Sequence, residues 1–87
     1  MHMTSLAVKV RYLDGQSFDY DASRVMVKDA ESVLTISFGH ARLFSALTAA
    51  TVTIIASPSV PNSIEPVLVS DGLMKVDRNV VMITVFH

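Results

Sequence analysis

The chain has 87 residues, a formal net charge of −1 at pH 7 and no cysteine, and apolar residues make up 51% of it. The balanced charge argues against a nucleic-acid-binding surface, and the absence of thiols excludes disulfides, thiolate metal sites and cysteine nucleophiles. A chain of this length buries only about 60% of its unfolded surface, so we expect its apolar excess to be covered by self-association or by a partner.

The first predicted element is a β-hairpin over residues 6–22, because apolar and polar residues alternate on both sides of a short loop. The loop Leu13-Asp14-Gly15 places a glycine where a type I turn with a G1 bulge needs a left-handed residue. A register shifted by one residue would turn charged side chains onto the apolar face. The expected cross-strand pairs are Val8 with Tyr20, Lys9 with Asp19, Val10 with Phe18 and Arg11 with Ser17.

The middle of the chain predicts further strands, but one segment is ambiguous. Leu43, Phe44 and Leu47 have helical spacing and several alanines favour a helix, whereas β-branched residues follow without a break. We interpret the ambiguous segment as a short strand followed by a single helical turn; a full helix over residues 41–50 is the alternative. The predicted elements are strands at 24–28, 33–38, 41–44 and 51–56, and the helical turn at 45–50.

The run from Leu43 to Ile64 carries no charge. Its apolar part ends at Ala56 and is about 14 residues long, which is more typical of a buried core segment than of a membrane span. We therefore expect no membrane insertion.

The C-terminal part of the chain predicts a second hairpin. Residues 57–64 are rich in proline and serine and are interpreted as a connector to a hairpin arm over residues 65–87. Asp71-Gly72 predicts a type I′ turn between strands at 66–69 and 73–76. A further turn at 77–79 then leads to a last strand over residues 80–86.

This last strand is apolar on both faces, with Thr84 as its one polar residue. Such a strand is central in a sheet or pairs with another chain, since a bare apolar edge aggregates. An ordinary core strand and an oligomer contact, including an arm exchanged at the connector, are both open. The interface residues predicted for the second case are Val81, Ile83, Val85 and Phe86.

The acidic and histidine residues do not form a predicted catalytic or metal site. Asp19 and Asp21 share a strand face, with Asp14 in the preceding loop, but Lys9 opposite Asp19 favours a solvated ion pair over a cation site. The histidines, His2, His40 and His87, lack the spacing of zinc ligands. A general base made of His40 with Asp29 or Glu31 across a turn is the remaining enzymatic alternative.

A small β-barrel that binds nucleic acid is the second alternative. Such barrels stack bases on exposed aromatic rings among cations, and Tyr12 near Lys9 and Arg11 fits that description. The carboxylates of Asp19 and Asp21 would repel phosphate at the same place. Nucleic acid is therefore not the expected partner.

The sequence predicts an all-β fold in one domain over residues 1–87, a small sandwich or partly open barrel of about seven short antiparallel strands with at most one helical turn near 45–50. The run from VKVRYLDG to VLTISFG has the rhythm of many short bacterial and phage β proteins and contains no diagnostic motif. We expect a non-enzymatic, self-associating module of a phage or bacterial assembly, acting through protein contacts without metal or cofactor, cytoplasmic or in a virion. A host-directed inhibitor encoded by a mobile element is a further alternative.

Overall fold

The computed structural model describes residues 5–56 and 66–87, and its regular elements within those ranges are six β-strands. The expected all-β fold is confirmed, with six strands within the described residues where about seven were expected for the whole chain. The proposed connector at 57–64 and His2 lie outside the described residues. The strands are β1 Leu6–Tyr12, β2 Ser17–Lys28, β3 Val33–Ser37, β4 Leu43–Ala56, β5 Val67–Asp77 and β6 Val80–Val85.

Five of the six strands close into a flattened barrel. The pairing runs β1-β6-β5-β4-β2 and returns from β2 to β1, while β3 is added to β2 beyond the barrel. The first and last strands, β1 and β6, run parallel, and the other pairs are antiparallel. The antiparallel arrangement expected throughout was wrong at this pair, because a closed ring with an odd number of strands must contain one parallel pair.

The first hairpin has the predicted register. Lys9 lies opposite Asp19 and Val10 lies opposite Phe18. Gly15 adopts a φ of +94°, and the Tyr12 amide donates to the Gln16 carbonyl at 2.9 Å. This geometry is that of a turn closing on a glycine bulge, so the local loop chemistry was sufficient to fix the pairing.

The predicted helical turn at 45–50 was wrong, and so was the helix alternative over 41–50. The whole of β4 is extended, because it pairs with β5 from Leu43↔Val76 to Val52↔Val67. Cross-strand pairing over that length overrides the modest helix propensity of the alanines. Within residues 5–56 and 66–87 no helix is long and apolar enough to cross a membrane.

The predicted turn at Asp71-Gly72 was also wrong, because β5 continues through it. Asp71 pairs with Thr48, and Gly72 pairs with both Leu47 and Val85. The actual turn follows at Arg78 and Asn79, whose φ angles of 51° and 64° fit a type I′ hairpin. The predicted turn at 77–79 is thereby confirmed.

Gly72 is required by close packing of backbones. A Cβ atom at this position would clash with the carbonyl oxygen of Thr84 on β6 and would lie 2.9 Å from Cγ1 of Val69. We therefore expect Gly72→Ala to destabilise the chain by about 1–3 kcal/mol, measured by urea unfolding. Gly15→Asn is the comparison variant, since that position has open space and asparagine is among the side chains that most readily adopt a positive φ, so backbone strain without a steric clash is expected there. Equal unfolding midpoints for the two variants would contradict the steric explanation.

In both β4 and β5 the alternation of buried and exposed residues changes phase, and the two changes lie side by side in the sheet. In β4 the buried residue Leu47 is followed by buried Ala50, and in β5 buried Val69 is followed by buried Gly72. Ala49, between the two phases of β4, has a φ of +48°. The shift lets each strand pass from one layer of the flattened barrel to the other while keeping apolar residues inside.

One apolar cluster fills the interior. Its members come from every strand, and no polar or charged side chain among the described residues is buried with them. The Asn79 side chain closes one end of the barrel, because its Oδ1 accepts the Gly39 amide at 2.7 Å while its carbonyl accepts the Ala7 amide at 3.0 Å. The fully buried side chains of valine size or larger include Leu6, Val8, Val10, Val25, Ile36, Val52, Ile54, Val69, Met74, Val76, Val81, Ile83 and Val85.

The Asp29 carboxylate organises the turn between β2 and β3. Its Oδ1 accepts the amides of Glu31 and Ser32, each at 2.8 Å, and these bonds hold the pKa of Asp29 below its ordinary value. A lowered pKa in the folded state contributes stability at neutral pH that is lost as the pH falls through that pKa. Asp29→Ala should therefore lower the unfolding midpoint at pH 7, and this difference should shrink at acidic pH. A difference independent of pH would contradict this account.

Candidate protein-contact face

The side chains of β6 divide cleanly between the core and the outside. Val81, Ile83 and Val85 are fully buried, whereas Val80, Met82 and Thr84 between them are half-buried. Successive residues of a strand point to opposite faces of the sheet, so the second set lies on the outer surface. The centre of this sheet therefore presents apolar side chains to its outer side.

Neighbouring strands extend this surface on both sides of β6. Met82 pairs with Lys9 of β1 and with Lys75 of β5, and Lys75 in turn pairs with Phe44 of β4. The next row places Arg11, Thr84, Leu73 and Ala46 side by side in the same way. We call this surface the outer face; its residues are Ala7, Lys9 and Arg11 of β1, Val80, Met82 and Thr84 of β6, Leu73 and Lys75 of β5, and Phe44 and Ala46 of β4.

The outer face combines an apolar centre with charged residues around it. Phe44 is 67% exposed, and Met82 and Leu73 are half-buried without an element packed over them among the described residues. Lys75 and Arg11 are exposed beside them. Asp19, Asp21 and Asp77 pair with Lys9, Ala7 and Val80 of this face, so the charges around its apolar centre are of both signs. A surface of this composition is suited to a protein partner with an apolar centre and a polar rim.

The four predicted interface residues do not lie together on this face. Val81, Ile83 and Val85 are buried in the chain's own core, and Phe86, which is 38% exposed, follows the end of β6. Their burial explains one apolar side of the strand without a second chain. The other side of the strand, with Val80 and Met82, was not identified from the sequence. The polar residue Thr84 lies on that same side and was the available sign that it faces outward.

The candidate catalytic groups are dispersed. Asp19 and Asp21 are exposed on β2, and Asp14 accepts the Gln16 amide within its own loop at 3.0 Å. His40 and Asp29 lie at opposite ends of β3, and Nδ1 of His40 is 2.7 Å from the Ala41 carbonyl. Within residues 5–56 and 66–87, no three histidine or carboxylate side chains converge as a metal site would require.

His87 has a structural contact that the sequence did not suggest. Its Nε2 accepts the amide of Ser70 at 3.0 Å, and the Phe86 amide donates to the Asp71 carbonyl at 2.9 Å. Phe86 and His87 are thereby attached to the point where β5 changes the side that faces the core. A hydrogen bond over 17 positions in the sequence has no local signal from which it could be predicted.

The aromatic residues near the first loop do not form a stacking platform. Tyr12 is half-buried against the core, and its ring meets Phe18 edge-to-face at a centroid distance of 6.0 Å. Lys9 faces Asp19 on the adjacent strand. The site therefore offers a nucleobase no free aromatic face at Tyr12, and it offers a phosphate no unopposed cation at Lys9.

Comparison with known proteins assigns the family. Residues 5–86 match the model of the beta-sandwich domain of the ATP synthase delta/epsilon chain. A chain in the structure of the central stalk and c-ring of Tetrahymena thermophila mitochondrial ATP synthase has a similar fold, with a TM-score of 0.75 and 21% identity over 100% of this chain and 67% of that chain. No curated protein sequence gives a significant match.

The family match corrects the functional expectations. The expectation of a self-associating module of a phage or bacterial assembly was wrong, because an ATP synthase family model covers nearly the whole sequence. The alternatives of a nucleic-acid-binding barrel and of a host-directed inhibitor were wrong for the same reason. Small β folds with very different roles share the patterns of alternation and turn chemistry on which those expectations depended. The chain belongs to the family of the ATP synthase delta/epsilon chain β-sandwich domain.

Proposed function

We propose that this chain acts in the central stalk of an ATP synthase, where it joins neighbouring subunits by protein contacts and carries out no chemistry itself. The family match over residues 5–86 carries the proposal. The likeness in fold to a chain of the Tetrahymena central stalk supports it, as does the dispersal of the described acidic and histidine side chains.

The outer face is the surface we assign to a neighbouring subunit of the stalk. It offers an apolar centre at Met82, Leu73 and Phe44 with the cations Lys75 and Arg11 at its side. In this proposal the apolar excess of the sequence is covered by contact with different subunits, in place of the self-association expected from composition. The working position of the chain is then outside the bilayer, on the stalk of a membrane-bound enzyme.

Purification of the enzyme tests this proposal. A tagged chain, produced in the cells from which the sequence comes, should co-purify in stoichiometric amount with detergent-solubilised ATP synthase, identified by its catalytic subunits and by ATP hydrolysis. Depletion of the chain should reduce coupled ATP synthesis by the membranes. Recovery of the tagged chain free of the enzyme, with unchanged ATP synthesis after depletion, would overturn the proposal.

A further inference from the structure

In the part of the chain that the structure describes, the first half of β4 has a strand on only one of its edges. β4 pairs with β5 over residues 43–52, whereas it pairs with β2 only from Thr51 to Ala56. Among the described residues, the edge of β4 opposite β5 is therefore unpaired over residues 43–48. We call this segment the open edge of β4; at about 3.4 Å per residue it is roughly 20 Å long.

The direction of the backbone groups along the open edge follows from the antiparallel ladder. The Phe86 amide donates to the Asp71 carbonyl, which makes these two residues a hydrogen-bonded pair. Hydrogen-bonded pairs alternate along an antiparallel ladder, so odd-numbered residues of β5 face β6 and even-numbered residues from Gly72 onward face β4. On β4 the odd-numbered residues consequently face β5.

The amides and carbonyls of Phe44, Ala46 and Thr48 therefore point outward along the open edge. The Ser45 hydroxyl donates to one of these carbonyls, that of Ala46, at 3.3 Å, and a carbonyl oxygen can accept a second bond. Three outward residues, each with one donor and one acceptor, present the pattern that an added β-strand satisfies.

The open edge lacks the usual protection against strand pairing. Native edges carry charges, prolines or bulges, yet residues 43–48 contain no charge and no proline, and the phase shift comes only at Ala49. The side chain of Phe44 is 67% exposed. The free edge of β3, by comparison, is only five residues long, and its exposed side chains are the polar Thr35 and Ser37 and the apolar Val33.

The open edge is also continuous with the outer face, since Phe44 and Ala46 belong to both. Leu43 and Ser45, on the inner side of the same edge, are only half-buried, so the core is not covered there. An added strand with apolar residues at alternate positions would cover these inner positions and extend the sheet.

We infer that the open edge of β4 binds an extended segment of a neighbouring ATP synthase stalk subunit as an additional β-strand. This inference rests on the proposed function and specifies how the contact is made: main-chain hydrogen bonds to Phe44, Ala46 and Thr48, with an alternating apolar segment lying against Leu43 and Ser45.

A matched pair of proline substitutions tests the inference. Ala46→Pro removes an outward amide from the open edge, and Thr35→Pro removes an outward amide from the edge of β3. Neither amide bonds to a neighbouring strand of the chain. For β3 this follows from the Asp29–Ser32 hydrogen bond, because alternation along the ladder then turns the even-numbered residues of β3 toward β2 and Thr35 away from it. We expect recovery of A46P with purified ATP synthase to fall by about tenfold or more relative to T35P. Circular dichroism and thermal melting show whether each variant folds.

Hydrogen exchange on the unsubstituted chain provides a test that does not depend on folding of a variant. The amides of Phe44, Ala46 and Thr48 should exchange rapidly in the free chain and become protected in the purified enzyme, while Leu43, Ser45 and Leu47 are slow in both. If the chain assembles while these three amides still exchange rapidly, or if A46P and T35P are recovered equally, the strand addition is overturned but the proposed function stands. Failure of the unsubstituted chain to assemble overturns both, and protection in the pure chain on concentration identifies a second copy as the occupant and overturns the inference.

Discussion

Replacing Ile83 with aspartate should unfold the chain. Ile83 is fully buried in β6, where it lies opposite Val10 on one side and Met74 on the other. A carboxylate at this position would lose its hydration with no cation in the core to compensate, at a cost of several kcal/mol. The whole stability of a domain is only about 5–15 kcal/mol. The variant should lack the cooperative urea transition and the near-ultraviolet circular dichroism of the parent chain.

The neighbouring residue provides the control for this prediction. Met82→Asp introduces the same carboxylate one position earlier on the same strand, but on the outer face between Lys9 and Lys75. Its free energy of unfolding should stay within about 1 kcal/mol of the parent value. A milder core variant, Ile83→Ala, should lose about 2–5 kcal/mol and remain folded enough to measure. Equal loss of stability in I83D and M82D would mean that the two faces of β6 are not distinguished as described.

Local chemistry was enough to predict part of the fold. The register from Lys9↔Asp19 to Val10↔Phe18 depends on a short loop, on Gly15 within it and on alternation over a few residues, all of which lie close together in the sequence. The turn at 77–79 was likewise predictable from neighbouring residues. In the first hairpin the competing register would bury charge, so only one remained favourable.

The errors occurred where distant pairing decides the structure. Asp71-Gly72 has strong turn propensity, but Gly72 is needed because the Thr84 carbonyl lies where its Cβ would be. The segment from Ser45 to Ala50 favours a helical turn, but in the structure it lies within a strand that pairs with β5 on both sides of Ala49. The sequence does not reveal these long-range partners, since hairpins determine only the neighbours that follow directly along the chain.

Prediction of the contact face also required knowing which side of the last strand faces outward, and composition alone does not give this. The doubly apolar strand 80–86 indicated that some surface is covered by another molecule, yet the choice between its two sides depends on where β1 and β5 lie. Thr84 was the available signal, because a lone polar residue marks the side that meets solvent or a partner. Of the set chosen from the sequence, Val81, Ile83 and Val85 lie in the chain's own core and Phe86 is exposed, and their contact with a second chain stays a prediction.

Replacing Met82 with glutamate should abolish assembly while leaving the chain folded. Met82 is central to the outer face, with Lys9 and Lys75 beside it. A glutamate there can pair with either lysine in the free chain, so folding is preserved. In the complex the same carboxylate would be buried against the apolar surface expected of the partner, and this costs several kcal/mol. Recovery of the variant with purified ATP synthase should fall at least a hundredfold, or about 2.7 kcal/mol.

Met26→Glu is the matched control, because Met26 is also a half-buried methionine on an outward side of the sheet, but it lies on β2 between Thr35 and Thr53. Its assembly should equal that of the unsubstituted chain. Thermal melting of both variants separates loss of contact from loss of folding. If M82E assembled normally, the outer face would not be the docking surface; if both variants failed while folded, contact would extend to the opposite side of the flattened barrel. Specific loss in M82E alone assigns the apolar side of β6, which no element of residues 5–56 or 66–87 covers, to the stalk partner.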